Sequence, residues 1–269
     1  MIRRGPNLPR LPIMEVFGKC QLCGCPVRIV RRADGSADHH EALTPDDLAT
    51  TPNPIPPVLD QFLRAQRKGK KTVAIAGSAW TSRSWAPYQD KDVEVWCFNE
   101  MHGQLGVGRA TRWFQLHHKW VWSTNHRFDH CDWLKQDRDY PIYMQRVFDD
   151  VPGAVMFPLK EIQDKLLTRF WRGEELVKKV FSTTMSYAVA LALYEGFDRI
   201  ELYGIELAME GEYAYQREAM AYWIGKADGM GVELWMPEAC MLLGAPLYAY
   251  EETRLSGGGI LTPPDGIGA

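Results

Sequence analysis

The chain reads as an α/β protein: a Rossmann-like, mostly parallel sheet with helices on both faces, preceded by a small Cys-rich, zinc-knuckle-like module. Three observations predict this. Between residue 58 and about residue 252, short apolar, β-branched runs alternate with helical patterns, and strands separated by helices imply βαβ units. Several of the runs end in Gly or a polar residue, at Gly77, Asn99, His117 and Gly204. An open parallel sheet forms its ligand crevice at that edge. Finally, three of the six cysteines crowd into KCQLCGCPVRIV, well ahead of the alternating region.

Taken in order, residues 1–15 are Arg- and Pro-rich and are expected to be poorly ordered, and residues 16–43 form the Cys/His-rich module. Residues 44–57, TPDDLATTPNPIPP, read as an extended linker, because repeated Pro opposes helix and removes ladder donors. The main domain spans 58–255, and the Gly/Pro-rich 256–269 is expected to be a flexible tail. Within the main domain, a strand over 72–76 enters a turn at Gly77 and Ser78. A second over 93–98 ends at Asn99, and a third over 112–116 reaches His117 and His118. Strands are also expected over 141–144 and 154–157. Helices over 184–195 and 213–229 precede strands over 199–203 and 232–235.

Composition bounds the function. The 269 residues suit one large domain, or a medium domain plus a small module. A hydrophobic fraction of 46% is that of a chain burying a real core. The net charge of −3 gives no global attraction to nucleic acid or to an anionic membrane, although 28–32 and 64–71 are locally basic. The opening MIRRGPNLPRLPIMEV lacks a signal peptide's apolar run, and no segment is long and apolar enough to span a bilayer. Clustered cysteines do not suggest a disulfide framework, so a reducing, cytoplasmic setting is expected, with no membrane partner. The ten tryptophans either line an aromatic pocket or fill the core.

The most informative segment is 181–207, FSTTMSYAVALALYEGFDRIELYGIEL. Ser182, Thr183 and Thr184 stand at a helix start, where hydroxyls cap and where free N–H groups and the dipole favour an anion. Gly196 suits the left-handed position after the helix. The next strand delivers Gly204 and Glu206 to a carboxyl end. The same residues equally suit an ordinary, well-capped αβ unit. GSAWTS, starting at Gly77 and Ser78, offers close backbone approach and hydroxyls to a phosphate but matches neither GxGxxG nor a P-loop. An uncommitted turn is its alternative.

Two further clusters carry candidate chemistry. Among His102, His117, His118, His126 and His130, one can act as a general base, since imidazole titrates near neutrality. Hydrogen-bonded or exposed histidines are the alternative. In EYAYQREAMAYWIGKA, Tyr213 and Tyr215 can donate O–H groups to a phosphate that Arg217 neutralises. An aromatic stripe on an amphipathic helix also reads as core. In the N-terminal module, Cys20-x-x-Cys23-Gly24 is knuckle-like, and Cys25, His39 and His40 are the nearest further ligands for a structural zinc. A second CxxC is absent, and a reduced, metal-free cluster stays open.

Together these pieces carry a resemblance. IAGSAWTS followed by VWCFNE resembles the GNGPS…CN pattern of bacterial sialyltransferases of the Campylobacter type. The 181–207 segment resembles their SGVYM…ALGY…IYLSGID, and EYAYQ their SYAF. The outline is shared with archaeal 6-hydroxymethylpterin pyrophosphokinase-like proteins. In its WFxLH, PIYM and EYAYQR…YWIG motifs the chain is closer in texture to phage and prophage proteins of this superfamily. The resemblance covers roughly 72–235 and omits the cysteine module. It implies that Gly77, Ser78 and Asn99 contact a nucleotide, and that Ser182, Thr183 and Thr184 hold its base, ribose or phosphate. It also implies that Tyr213 stabilises the departing phosphate of a nucleotide sugar. The Asn of GNGPS is missing, the second such tyrosine is replaced around Ala208, and no His follows His130. Glu206, His117 or His118 must then serve as base.

Two function classes follow. One is a nucleotide-dependent, glycosyltransferase-like transferase using an activated donor. Its acceptor would be a small molecule or a nucleic acid, the latter held with help from Arg28, Arg31 and Arg32 of the module. A pyrophosphokinase is its enzymatic variant and would need Mg²⁺. The other is a module that binds a nucleotide without turning it over.

Overall fold

The computed structural model describes residues 15–19, 26–31, 37–42, 55–79, 81–104, 106–125, 127–167, 179–207, 212–238 and 240–243. Near the N-terminus, β1 (Glu15–Lys19), β2 (Pro26–Arg31) and β3 (Ala37–Ala42) form an antiparallel sheet in that order. The sequence reading places no strands here, although β-branched Val27, Ile29 and Val30 favour one. Cys20, Cys23 and Cys25 lie outside the described residues, while His39 and His40 fall in β3. Among the described residues no group of three or more His, Cys, Asp or Glu is arranged to hold a metal ion.

Pro57, read from sequence as the end of the linker, instead opens α1 (Pro57–Arg67). Proline is tolerated in a first turn because its missing N–H would have no intrahelical partner there. Seven strands then form a wholly parallel sheet. They are β4 (Thr72–Ala76), β5 (Val93–Phe98), β6 (Arg112–Gln115), β7 (Ile142–Met144), β8 (Ala154–Met156), β9 (Arg199–Tyr203) and β10 (Glu233–Trp235). Their spatial order is β10-β9-β4-β5-β6-β7-β8. The chain therefore winds outward from β4 to β8, crosses back, and continues from β9 to β10 on the other side. The winding reverses between β4 and β9, the place where open α/β sheets form crevices. β4 and β9 are buried along their whole length, as central strands covered on both faces must be.

The further α-helices among the described residues are α2 (Lys119–Ser123), α3 (His130–Leu134), α4 (Leu159–Leu166), α5 (Thr184–Tyr194) and α6 (Glu212–Gly229). α5 is apolar nearly all round, with residues 188–193 buried, and packs on β4, β5 and β6. It ends as its sequence dictates. Gly196 takes φ +70° and donates to the Leu193 carbonyl, and Phe197 N–H donates to the Ala192 carbonyl, a Schellman closure. α6 lies beside α5 and buries Ala219, Met220, Trp223, Ile224 and Ala227, a helical stripe. Trp223 Nε1 donates to the Val180 carbonyl at 2.7 Å, which ties α6 to the entry of α5. Trp96, Trp113, Trp122 and Trp223 are fully buried, so these tryptophans fill the core. No helix among the described residues is long and apolar enough to cross a membrane.

Candidate functional site

The turns after β4 and β9 are locked together. Gly77 N–H donates to the Tyr203 carbonyl at 2.7 Å, Ala79 N–H to the Gly204 carbonyl at 2.9 Å, and Gly204 N–H to Ser82 Oγ at 2.8 Å. A Cβ on Gly77 would stand 2.5 Å from the Gly204 oxygen. Gly204, at φ +60°, would bring one within 2.7 Å of the Ala79 and Gly77 oxygens. The close approach that Gly77 permits is therefore first to its neighbouring strand. Arg83 secures the same turn by donating to the Ser78 carbonyl at 2.8 Å and to Gln104 Oε1. Burial lowers its guanidinium to about 10, so it stays charged at neutral pH.

Over the carboxyl ends of β4, β5 and β6 lies a crevice of about 470 Å³. One wall is polar: Gly77, Ser78, Asn99 and the α5 entry Ser182, Thr183 and Thr184. A second is apolar and includes Phe98, Met101, Phe181, Met185 and Tyr187. His117, Glu100, Arg127 and Gln216 complete the lining together with Gln104 and Leu116.

At the α5 entry, the N-cap is Thr183, with extended backbone (φ −144°, ψ 146°) but no side-chain cap bond. Its hydroxyl instead donates to Met185 Sδ at 3.2 Å, and Ser182 Oγ donates to the Tyr215 carbonyl at 3.1 Å. Ser186 N–H turns back to the Thr183 carbonyl. The sequence reading has these hydroxyls capping the helix; they do not, and the first turn opens on the crevice without a side-chain cap. Also in the lining, Asn99 adopts φ 47°, a left-handed conformation that Asn tolerates better than most residues. Its carbonyl accepts from Trp113 Nε1 at 3.0 Å, and its Oδ1 is buried with no hydrogen-bond partner among the described residues. A buried polar atom without a partner is costly and marks a place for a missing one.

His117 is held from below by β6. Buried Gln115 accepts from both the His117 N–H (3.2 Å) and His117 Nδ1 (2.9 Å) through Oε1. Its Nε2 meets His130 Nε2 at 2.7 Å, and His130 Nδ1 meets His102 Nε2 at 3.1 Å. His102 in turn stacks on Trp133, with centroids 4.2 Å apart. Burial lowers both His102 and His130 to about 4, so both are neutral at pH 7.

The crevice thus brings together Gly77, Ser78, Asn99, His117, Ser182, Thr183 and Thr184. The other candidates are placed elsewhere. Gly204 is buried beneath the Gly77 turn. The Glu206 carboxylate accepts from Thr81 Oγ1, and burial raises its carboxyl above the ordinary value. His118, Tyr215 and Arg217 are not among the lining residues, although Gln216 between the last two is. Tyr213 lies in α6, and His126 and Ala208 fall outside the described residues.

No protein-family model matches the chain, and no curated protein matches it. Among solved structures, it is similar to the sialyltransferase CstII of Campylobacter jejuni in complex with cytidine-5'-monophosphate. Identity is 16%, the match covers 62% of this chain and 79% of that chain, and the TM-score is 0.41. The same enzyme with CMP-3FNeuAc gives 15% identity over 72% of this chain and 96% of that one, at TM-score 0.41. With a trisaccharide acceptor and CMP it gives 16% over 62% and 80%, at 0.42. At this identity and superposition, the functional reading rests on the site's own residues.

Sequence reasoning passes over Gln104 and Arg127, and gives no role to Glu100, at the end of the β5 run, or to Gln216, within EYAYQR. Glu100 follows Asn99 directly and could have been found as the second polar residue at a strand end. Its carboxylate accepts from Asn125 Nδ2. Arg127, whose N–H donates to Asn125 Oδ1 at 2.9 Å, carried no local signal. It reaches the crevice through the turn at Phe128 and Asp129, both at positive φ.

Proposed function

We propose that the chain is a nucleotide-dependent, glycosyltransferase-like transferase that takes an activated nucleotide donor into this crevice. One observation carries the reading: the N-terminus of α5, without a side-chain cap, and Asn99, whose buried Oδ1 has no partner among the described residues, line one crevice at the carboxyl edge of the sheet. Helix N–H groups and the Ser78 hydroxyl suit a phosphate, Asn99 suits a base or ribose hydroxyl, and Phe181 with Tyr187 offers an apolar wall to a base. His117 supplies the base that deprotonates an acceptor, and donors around the phosphate stabilise the leaving group. Glu206, engaged with Thr81 away from the lining, is the weaker candidate for that role.

The test is thermal unfolding against a panel of nucleotides and nucleotide sugars, followed by mass spectrometry of the mixtures. A ligand that binds only the folded state raises Tm, by the equivalent of about 2.7 kcal/mol at a hundredfold excess over Kd. A hit with donor hydrolysis or transfer supports the transferase. A hit with no turnover supports a binding module, the reading that the off-crevice position of Glu206 favours. No hit removes both. We propose further that Cys20 and Cys23, with ligands among Cys25, His39 and His40, hold a structural zinc. The module would then help retain a nucleic-acid acceptor. Elemental analysis of the intact chain and of the Cys20→Ser/Cys23→Ser variant tests the first. Salt-dependent gel retardation tests the second.

A further inference from the structure

The chain of contacts beneath His117 has a direction that its chemistry dictates. A backbone N–H can only donate, so the 3.2 Å contact from His117 N–H requires an oxygen at that position of the Gln115 amide. This removes the ambiguity that usually attaches to an amide's two ends. With Oε1 so placed, the 2.9 Å contact to His117 Nδ1 requires that Nδ1 carry the proton. The other end of the amide is then an NH₂, and its 2.7 Å contact requires His130 Nε2 to accept. Neutral His130 therefore carries its proton on Nδ1 and donates to His102 Nε2 at 3.1 Å. Every hydrogen in the row is thereby assigned.

We infer that Gln115 is a positioning residue that fixes His117 as its Nδ1–H tautomer and leaves Nε2 as the basic nitrogen. This rests on the reading of His117 as the base of the proposed transferase. His117 is exposed and lines the crevice, whereas Gln115 and His130 are buried in the layer beneath. Among the described residues His117 Nε2 has no hydrogen-bond partner, as a base awaiting an acceptor hydroxyl requires. His130 and His102 act on Gln115 alone. A neutral, buried His130 offers the amide an acceptor and no competing donor, which keeps Gln115 from flipping. The first two polar contacts of this row are the ordinary way in which a second residue sets which imidazole nitrogen is free.

The experiment is nitrogen-15 histidine NMR of the full chain at about pH 8, where free imidazole is neutral. It reads each ring's protonated nitrogen without ligand or turnover. Expected are Nδ1–H for His117, His130 and His102 in the parent protein. In Gln115→Met, which keeps length and burial, His117 should move toward the Nε2–H form. An Nε2–H His117 in the parent overturns the inference, as does an unchanged His117 in a folded Gln115→Met. Should that variant not fold, the parent spectrum still decides. In the transferase assay, Gln115→Met should lower kcat about tenfold or more with KM unchanged, whereas a merely structural loss would lower Tm and leave kcat of the folded fraction intact. The two readings fail separately. An empty nucleotide panel leaves the tautomers as measured, and a wrong tautomer leaves nucleotide binding as measured.

Discussion

Asn99 is the residue on which the ligand reading turns, and it can be tested without altering shape. Asn99→Asp keeps the side chain's size and its tolerance of φ 47°, but it places a carboxylate at the polar wall beside Ser78 and the α5 entry. A charge of the ligand's own sign should weaken a nucleotide's binding by about 1.5–3 kcal/mol, roughly tenfold to a hundredfold in Kd. Titration calorimetry with the best nucleotide of the thermal panel measures this. A Kd unchanged within twofold would remove Asn99 from the binding surface. His117→Gln makes the complementary case. It should leave that Kd within a few-fold while turnover falls by about 10²–10⁴, the range of a general base. Loss of binding and turnover together would instead make His117 a ligand contact.

At the scale of elements, the two turns at the switch point and the helix that faces them set different demands on glycine. Gly196 sits in open space at φ +70°, so Gly196→Ala should cost only about 1 kcal/mol, the strain of a left-handed Ala. Gly77→Ala would drive a Cβ to 2.5 Å from a backbone oxygen and 2.7 Å from Ile205, and neither side of the lock can retreat without breaking its hydrogen bonds. A loss of 2 kcal/mol or more is expected by urea denaturation, together with loss of the nucleotide Tm shift, because Ser78 moves with the turn. These elements also show what was legible in advance. β4, β5 and β9 appear in sequence with the same bounds: β4 is a short apolar run, β5 and β9 carry apolar residues at alternate positions, and each is closed by Gly or Asn. The α5 closure was legible because only Gly takes φ +70° without strain. The hydrogen bond of Ser182 was not, since its partner, the Tyr215 carbonyl, is chosen by how α6 packs on the entry of α5. The role of Gly77 was half legible. Its close approach could be foreseen, but its target across the sheet could not. Gln115 reads in sequence as one more residue of a strand, and its importance exists only once α3 brings His130 beneath it.

Across the whole molecule, two buried polar clusters set how stability responds to change. Around β9, buried Glu201 accepts from Arg67 (2.7 Å), Arg199 (2.7 Å) and the Tyr203 hydroxyl (2.7 Å), which links α1 to an interior strand of the sheet. Removing one member of a buried ion pair leaves the other charge uncompensated, so Glu201→Ala should cost about 3–5 kcal/mol in chemical denaturation. A cost below 1 kcal/mol would mean that water replaces the carboxylate. The His102–His130 pair acts through pH. Both rings are held near 4 in the folded chain, below the ordinary 6.5, because burial disfavours the imidazolium. A depressed histidine binds its proton first in the unfolded state. Its contribution is therefore complete above about pH 6.5 and is lost as pH falls toward 4, by up to about 1.4 kcal/mol per pH unit for each fully buried ring. His130 is wholly buried and should approach that slope; His102 is partly exposed and should give less. Glu206 works the other way, since burial raises its carboxyl and the protonated form then favours folding at low pH. Urea midpoints should thus decline from pH 6.5 to 5, with Glu206 opposing the fall. His130→Asn, which cannot take up the proton, should flatten the decline by about half or more while lowering stability at pH 7.5. A parent protein whose midpoint stays level between pH 6.5 and 5 would mean that the two rings are solvated, and with them the amide that orients His117.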